Sequence, residues 1–419
     1  MLDIKFIRDN QDIVKDAIRK KFVKLDLDGL ISLDDKRREV LSLVENLRAE
    51  QKTVSDGMVS ADASAREELL AKLRPLKENL QKKEEELKKL TSDWRDMMVQ
   101  VPNVPDMTVP EGVSDEDNQE IRAWGEKTQF DFEAKDHVAL CEAHDLADFE
   151  RGAKVSGFRG YFMKNEGAQL FFALWQYTLN YFIKEGYTPI IVPSLVKKET
   201  LYGTGYLPQG EEDLYQTQDG EFLAGTAEVA MMSYYAGEIL EKKDLPKKFI
   251  AFSPCFRREA GAHGKDIKGI IRVHEFFKLE QIILSEANHE MSVALHEEIT
   301  KHVENIMQAL KLPYHVVVNC TGDLGLGQVK KYDIEAWMPS QQKYRETHSS
   351  SYFHDFQTRR LNIRYRDDDG SLKYVHSLNN TACATSRLPA SILENYQEAD
   401  GRIRIPEVLR QYFSTDYIG

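Results

Sequence analysis

The chain has 419 residues, of which 42% are hydrophobic and 10% aromatic, enough for buried cores and unlike a disordered chain. Its length predicts two or three domains. The formal net charge of −13 argues against a general nucleic-acid binder, so a surface that binds RNA must concentrate its basic residues locally. The chain shows no apolar run long enough to span a membrane and no apolar core of a signal peptide, and its four cysteines form no CxxC pair. These features predict a cytosolic globular protein, with no zinc site and neither a membrane nor DNA as partner.

Residues 32–99 are dominated by Glu, Lys, Arg and Leu. In the second half, apolar residues recur four and three positions apart, with Lys83 filling the one gap, which is heptad periodicity. These residues are Leu69, Leu73, Leu76, Leu80, Leu87, Leu90, Trp94 and Met97. The less regular first half carries Val40, Leu43, Val44, Leu47, Val54 and Met58. The pattern predicts an antiparallel coiled-coil hairpin that turns at residues 56–65, with Pro75 in the first turns of the second helix or kinking it.

A coiled coil of this kind is most often a structural or dimerising element. Its charges are nevertheless balanced although the whole chain is acidic, and cations follow the second helix. They are Lys72, Arg74, Lys77, Lys82, Lys83, Lys88 and Lys89. These cations are compatible with contact to an RNA backbone and do not require it.

Two prolines in residues 101–105 end the helical segment and mark a linker. Beyond the linker, strand-like and helix-like patterns alternate. A helical run over residues 167–185 is closed by Gly186, and a strand-like run over residues 187–192 ends at Pro193. We therefore predict an N-terminal domain over residues 1–108 and a second domain over residues 109–419.

The most informative segment is residues 249–284. It begins with a strand, continues through a glycine-rich loop at residues 260–269, and ends with a second strand predicted over residues 270–284. Strand alternation places Phe276 on a face that is otherwise charged, where it fits a platform for a planar base better than a core side chain. Arg257 and Glu259 share a face of the first strand, and an arginine there could bind a phosphate through its fork of donors.

Residues 256–259 (Phe-Arg-Arg-Glu), the loop, and residues 272–276 (Arg-Val-His-Glu-Phe) resemble motif 2 of class II aminoacyl-tRNA synthetases, most closely that of the seryl-tRNA synthetase family. Residues 376–397 resemble motif 3, and residues 167–193 resemble motif 1. The resemblance covers essentially the whole chain. It implies an α+β fold in which helices flank an antiparallel β-sheet, preceded by an antiparallel coiled-coil arm, in a homodimer.

The resemblance also implies an ATP site. Arg257 would bind the α-phosphate and Arg387 the γ-phosphate, as the two catalytic residues, and a preorganised cation helps most where charge develops. Phe276 would stack on adenine, with Glu259 and Val273 holding the base. Arg258 belongs to the same segment, but alternation points it away. Residues 345–349 (Arg-Glu-Thr-His-Ser) resemble the family's Arg-Glu-x-x-Ser segment, so Glu346, Thr347, His348 and Ser349 join the ATP site, with Glu346 and Ser349 as oxygen ligands for Mg²⁺.

A separate set implies serine recognition. Residues 226–228 resemble the family's Thr-Ala-Glu loop, which meets the amino group and side chain of serine. Glu280 is the expected acceptor for the serine hydroxyl. The full set is Thr226, Ala227, Glu228, Arg257, Glu280, Asn379 and Thr381. A buried acceptor left unpaired would penalise alanine and glycine.

The implied enzyme is a serine–tRNA ligase that forms seryl-adenylate from serine and ATP and transfers serine to tRNA(Ser), and to tRNA(Sec) as well. One alternative is a related protein that loads an amino acid onto a carrier protein, although such relatives tend to lack the arm. The other is a non-catalytic coiled-coil scaffold, against which Arg257, Glu280, Glu346 and Arg387 argue together.

Overall fold

The structure is a computed structural model that describes residues 1–60, 62–261, 264 and 266–419. Part of the predicted hairpin turn (Ala61) and part of the glycine-rich loop (Ala262, His263 and Lys265) lie outside the described residues. The chain forms two compact units, Asp3–Pro102 and Asn103–Gly419, and the second includes Met1–Leu2.

The first unit is helical. Its elements are α1 (Ile4–Asp9), α2 (Gln11–Lys20), α3 (Leu27–Ser60) and α4 (Ala63–Met98). Arg37, early in α3, stacks over Trp94, late in α4, and Arg48 pairs with Glu84 at 2.7 Å. The contact partner in α4 thus moves toward the start of that helix as the residue in α3 moves toward its end, so the two helices are antiparallel. The predicted coiled-coil arm is confirmed.

Heptad positions of α4 form its contact side, since Leu73, Leu76, Leu80 and Leu90 are buried and the remaining predicted positions are half-buried. Three details differ from the prediction. Gly57 lies inside α3 and not in the turn, which is therefore shorter than predicted, and Leu43 is 41% exposed. Pro75 lies in the fourth turn of a continuous α4. Its position is exposed, so water can reach the carbonyl that its missing N–H leaves without a partner.

The second unit contains an eight-stranded sheet. Its strands, in spatial order, are β1 (Gln119–Trp124), β11 (Tyr314–Val318), β12 (Lys330–Met338), β13 (Lys343–His354), β16 (His376–Ala384), β10 (Glu275–Ser285), β9 (Lys247–Phe256) and β4 (Thr188–Ile191). All neighbours are antiparallel except β4 and β9. The predicted antiparallel class II sheet is confirmed.

Smaller sheets surround it. Their strands are β2 (Ala147–Asp148), β3 (Phe162–Met163), β5 (Leu195–Val196), β6 (Tyr215–Gln216), β7 (Phe222–Leu223), β8 (Ile239–Glu241), β14 (Arg364–Arg366), β15 (Leu372–Tyr374), β17 (Ile403–Arg404) and β18 (Tyr417–Ile418). The helices of this unit are α5 (His137–Ala143), α6 (Phe149–Ser156), α7 (Asn165–Lys184), α8 (Lys198–Thr204), α9 (Ala227–Met232), α10 (His289–Ala309), α11 (Phe356–Leu361) and α12 (Arg387–Asn395). In the described part of the chain, no helix is long and apolar enough to span a membrane.

The main core lies on one face of the large sheet. Leu174 of α7 and Ile299 of α10 pack there against Leu279, Ile283 and other sheet residues, in one buried cluster. Leu279 and Ile283 share this face of β10 with Gln281, whose amide donates to the carbonyl of Ile299 at 3.1 Å. We call the face under α7 and α10 the helix-covered face. On the opposite face, which also carries Glu280, Ile282 and Leu284 pack with Met231 of α9 in a second buried cluster.

The motif 2 region departs from the sequence prediction. The second strand begins at Glu275 and not at residue 270. The first strand ends at Phe256, so Arg257 and Glu259 follow it and do not share a strand face. Glu259 takes a left-handed backbone conformation with φ of +54°, which turns the chain away from the strand.

Candidate active site

A β-bulge brings the two predicted magnesium ligands to one face of the sheet. In a regular strand, Glu346 and Ser349 would point to opposite faces because three positions separate them. The register between β12 and β13 shifts between Ile334 and Glu335, so Ser349 lies opposite Asp333 whereas Glu346 lies opposite Glu335. The extra residue, Thr347, restores a common face for Glu346, Ser349 and Asp333.

A second bulge orders the other half of the site. Leu279 pairs with Cys383 but Glu280 pairs with Thr381, so Ala382 is the extra residue in β16. Thr381 and Asn379 therefore share the face of Glu280. Both side chains are at most 8% exposed, and the Nδ2 atom of Asn379 is buried without a hydrogen-bond partner.

A cavity of about 100 Å³ collects most of the predicted ATP residues. It is lined by Arg257, Glu259, Val273, Phe276, Glu346, Thr347, Thr381 and Arg387, together with Ile271, Arg272, Lys278, Ala384 and Ser386. A neighbouring cavity of about 840 Å³ is lined by Arg272, Glu346 and Arg387 as well, and also by Lys331 and Asp333. Together these spaces are within the size range of small-molecule sites.

Cations and an aromatic ring meet in the smaller cavity. The guanidinium of Arg257 lies 5.3 Å from the ring centre of Phe276, and its Nε donates to the carbonyl of Gly225 at 3.3 Å. The ring of Phe276 packs with Val273 and Cys255. Although it is only 7% exposed, Phe276 also lines the smaller cavity.

Two further arginines that line the smaller cavity form hydrogen bonds with carboxylates. Arg272 donates to Glu259 at 2.6 Å, and Arg387 donates to both the carbonyl and the Oε2 of Glu346, at 2.9 and 3.0 Å. Burial by itself would raise the pKa of Glu346, but the charges of Arg387 and Lys331 outweigh that effect and lower the pKa well below its usual range. Glu346 is therefore an anion throughout the physiological pH range.

Asp333 is a further oxygen-bearing side chain on this face, opposite Ser349. Its Oδ2 accepts a hydrogen bond from Asn319 at 2.7 Å and pairs with Lys331 at 3.3 Å, while its Oδ1 is buried without a partner. Burial raises the pKa of Asp333, and Lys331 opposes that effect. Among the described residues, no cluster of three or more His, Cys, Asp or Glu side chains is arranged to hold a metal ion by itself.

Two buried glutamates define the other end of the site. Thr226 Oγ1 donates to Glu280 at 3.0 Å, and Lys278 forms an ion pair with the same carboxylate. Glu228 accepts hydrogen bonds from Tyr206 at 3.1 Å and from Gln357 at 2.6 Å. Burial, and then the charge of Glu280, raises the pKa of Glu228 to about 7.

Three predicted residues lie apart from this arrangement. Arg258 is exposed and donates to the carbonyl of Glu212 at 3.0 Å, in keeping with its predicted outward direction. His348 lies opposite Ile334, on the helix-covered face, and is buried there. Ala227 packs in the core with Met231 and is fully buried. None of the three lines the smaller cavity.

Sequence reasoning did not assign Lys278, Asp333 or Gln357 to the site. Lys278 carried a detectable signal, because it lies two positions before Glu280 in a strand and so shares its face. Asp333 and Gln357 carried none, since each reaches the site from a strand or helix distant in sequence.

Two family models match this chain. The seryl-tRNA synthetase N-terminal domain matches residues 1–105, and the class II tRNA synthetase core domain (G, H, P, S and T) matches residues 215–396. A serine–tRNA ligase of Deinococcus radiodurans is 45% identical over 413 residues, which cover 98% of this chain and 97% of that protein. The chain belongs to the seryl-tRNA synthetase family.

Solved structures agree with this membership of the seryl-tRNA synthetase family. A seryl-tRNA synthetase from Pyrococcus horikoshii, complexed with ATP, matches with a TM-score of 0.90 and 39% identity, over 100% of this chain and 99% of that one. A cytoplasmic serine–tRNA ligase from Naegleria fowleri, in complex with AMP, matches with a TM-score of 0.87 and 31% identity, over 100% and 98%. The predicted family and class of enzyme, a serine–tRNA ligase, are confirmed.

Proposed function

We propose that the protein activates L-serine with ATP, releases pyrophosphate, and transfers serine from seryl-adenylate to the 3′ end of tRNA(Ser), and of tRNA(Sec), in the cytoplasm. The observation that carries this proposal is a cavity lined by Arg257 and Arg387 together with Lys278, whose ion-pair partner is the buried Glu280. A second buried glutamate, Glu228, is close enough to Glu280 for its pKa to be raised by that charge. Phosphates and the ammonium group of an amino acid need these opposite charges. Membership of the seryl-tRNA synthetase family supports the assignment.

At the phosphate end, Arg257 and Arg387 are the cations that would stabilise charge developing at phosphorus. The serine carboxylate attacks the α-phosphate and pyrophosphate leaves, so catalysis needs positioning and electrostatics but no side-chain nucleophile. The adenine base would stack on Phe276 between Val273 and Glu259. Arg387 would hold the γ-phosphate.

The residues on this face also fit Mg²⁺. Glu346 and Ser349 offer hard oxygen donors on one side of β13, and ATP phosphates would complete the coordination. Asp333, which lies opposite Ser349, adds a further carboxylate oxygen on the same face. When bound, Mg²⁺ supplies charge neutralisation at the phosphates. Glu346 and Ser349 would hold it there.

At the amino-acid end, Glu280 would accept the serine hydroxyl and Glu228 would meet the ammonium group. Asn379 and Thr381 line the same face and would close the pocket with Thr226, while Ala227 would contribute through the backbone of its loop. The Nδ2 of Asn379 is a buried donor without a hydrogen-bond partner, which a substrate hydroxyl or carboxylate could satisfy. A substrate without a hydroxyl would leave buried polar groups unpaired, which penalises alanine.

The arm would bind the tRNA backbone. The predicted cations Lys72, Arg74, Lys77, Lys82, Lys88 and Lys89 are all exposed along α4, so they can reach phosphates. Only Lys83 is half-buried, in an ion pair with Glu86. Contacts of this kind read backbone and shape, as is usual for paired RNA.

A homodimer would form through motif 1. The strand β4 is an edge of the large sheet, and Ile191 in it is 82% exposed. Phe172 of α7 is 68% exposed, and Ile183 of the same helix is 46% exposed. Large apolar side chains exposed together mark a protein contact surface, and light scattering would report the resulting mass.

ATP–pyrophosphate exchange with a panel of amino acids tests the proposal. We expect exchange with serine alone among the natural amino acids, and charging of tRNA(Ser). Absence of serine-dependent exchange would contradict the enzyme assignment and favour a scaffold. Exchange without charging of either tRNA would favour a ligase that loads a carrier protein. Deletion of residues 35–98 should abolish charging and preserve exchange.

A further inference from the structure

A buried amide contacts Glu228, the glutamate to which the proposed function assigns the substrate ammonium. Gln357 of α11 is fully buried, and its Nε2 donates to Glu228 Oε1 at 2.6 Å and to the carbonyl of Thr204 at 3.2 Å. Its Oε1 accepts from Ser377 Oγ at 2.7 Å. Gln357 therefore connects the end of α8, the start of α9 and the start of β16.

The orientation of this amide is determined by its neighbours. Both Glu228 and the Thr204 carbonyl act as acceptors, so the nitrogen of Gln357 must face them. Each of its two hydrogens then has a partner, and the oxygen accepts from Ser377. A fully satisfied buried amide is rigid, because any rotation would leave polar groups unpaired.

The second oxygen of Glu228 accepts from the hydroxyl of Tyr206 at 3.1 Å. Tyr206 follows α8 directly, in the same segment as Thr204. The Glu228 carboxylate is thus held by two neutral donors, one on each oxygen. Neutral donors orient an anion and stabilise it without a counter-charge, so its negative charge stays available to a substrate ammonium. An Arg or Lys in place of Gln357 would neutralise that charge.

We propose that Gln357 is a positioning residue for amino-acid recognition, which acts through Glu228 and does not touch the substrate. The inference rests on the proposed function, because it assigns the substrate ammonium to Glu228. It goes further in naming the group that sets the direction of this carboxylate. The expected consequence is a defect confined to the amino acid, with ATP binding left intact.

The test is Gln357→Met, which keeps side-chain length and apolar packing but removes all three hydrogen bonds. In ATP–pyrophosphate exchange, we expect KM for serine to rise about 10- to 100-fold, the range that follows from losing a hydrogen bond to a charged group. KM for ATP should stay within about twofold, since RT ln 2 is well below the energy of one such bond. Gln308→Met in α10, which removes a hydrogen bond to Tyr314 of β11, is the control and should leave both constants unchanged.

A positioning role also predicts non-additivity. In a Glu228→Gln background, Gln357→Met should add no further loss of kcat/KM for serine, because the group it orients is already gone. An additive loss, an equal rise in KM for ATP, or an unchanged KM for serine would each overturn the inference. If Gln357→Met does not fold, Gln357→Glu serves instead. A second carboxyl beside Glu228 should move the acidic limb of kcat/KM for serine to higher pH, and an unmoved limb contradicts the proposal.

The two proposals fail separately. If the wild-type enzyme exchanges with an amino acid other than serine, the serine assignment is wrong, and the same comparison of variants made with that amino acid still tests Gln357. If it exchanges with no amino acid, the assignment of an ammonium to Glu228 falls, and the inference on Gln357 falls with it. If only the non-additivity is absent, the positioning role of Gln357 is refuted and the assignment of the protein as a ligase stands.

Discussion

The side chain of Arg387 donates a hydrogen bond to Glu346 Oε2 at 3.0 Å, and the two residues line both cavities of the site. Arg387 begins α12, and Glu346 lies just before the bulge of β13, so a helix start and a strand irregularity meet at this pair. The arginine fixes the carboxylate as an anion and still presents donors to the cavity. The pair is therefore prepared for both a phosphate and a cation.

The first prediction concerns Arg387. Replacement of Arg387 with Ala should lower kcat/KM for ATP about 100-fold or more, the usual effect of removing a preorganised charge at a phosphate. Arg387→Lys should recover only part of the kcat/KM for ATP, because an ammonium lacks the paired N–H donors with which a guanidinium reaches two oxygens. The measurement is exchange at varied ATP. Arg402→Lys, at an exposed ion pair with Asp400, is the control and should be silent. A fully active Arg387→Lys enzyme would contradict the role of the fork.

The site illustrates what the sequence can and cannot predict. Arg257, Phe276 and Arg387 were identified because each stands in a short local pattern, and the structure gathers all three around one cavity. The arm was predictable because its heptads repeat over many turns. The bulges at Thr347 and Ala382 were not, since an extra residue shows only against the register of a partner strand.

Contacts between residues far apart in the sequence could not be predicted either. Gln357 reaches Glu228 across 129 positions of sequence, and no local pattern records that approach. His348 shows the converse case. The resemblance placed it with its neighbours in the ATP site, but the bulge at Thr347 leaves it on the helix-covered face, opposite Ile334. One extra residue in a strand thus decides which of four consecutive side chains can meet a ligand.

The second prediction concerns the buried pair of Lys278 and Glu280. Glu280→Leu should abolish serine-dependent exchange and should also reduce the free energy of unfolding by about 3–5 kcal/mol, because Lys278 is left as a buried unpaired charge. Adding Lys278→Met should restore most of the stability but none of the exchange. Urea unfolding and exchange, measured on both variants, separate the two effects. Recovery of exchange in the double variant would show that Glu280 serves stability alone.

The third prediction is a pH dependence. Because burial and the charge of Glu280 raise the pKa of Glu228 to about 7, an increasing fraction of Glu228 is protonated as the pH falls below that value. The neutral acid cannot pair with an ammonium, so kcat/KM for serine should fall about tenfold per pH unit below the pKa, while KM for ATP changes little. The pH profile of Glu228→Gln should lack this limb. A limb that persists in the variant would belong to another group.

The same pKa has a consequence for stability. A carboxyl with a raised pKa binds its proton more tightly in the folded protein than in the unfolded chain. Ionised Glu228 therefore destabilises the fold at pH above about 7, and this effect fades as the pH falls to the unfolded value of about 4.3. Glu228→Gln should consequently be more stable than the wild type at pH 8 and not at pH 4.5. Thermal unfolding at the two pH values measures the difference, and an equal change in Tm at both would contradict it.

The last prediction concerns the arm. Charge reversal at Lys72, Lys77, Lys82 and Lys88 should abolish measurable charging of tRNA(Ser) at physiological salt and leave serine-dependent exchange intact, because these side chains are exposed and belong to the N-terminal unit. Reversal of one of these lysines alone should leave charging measurable and should reduce the slope of log KM for tRNA against log salt by roughly 0.9, the value expected for release of one counterion from a duplex. Reversal of the exposed Lys154 and Lys198 in the other unit is the control, since it changes net charge without touching the arm. If the control loses charging equally, net charge and not the arm governs tRNA binding.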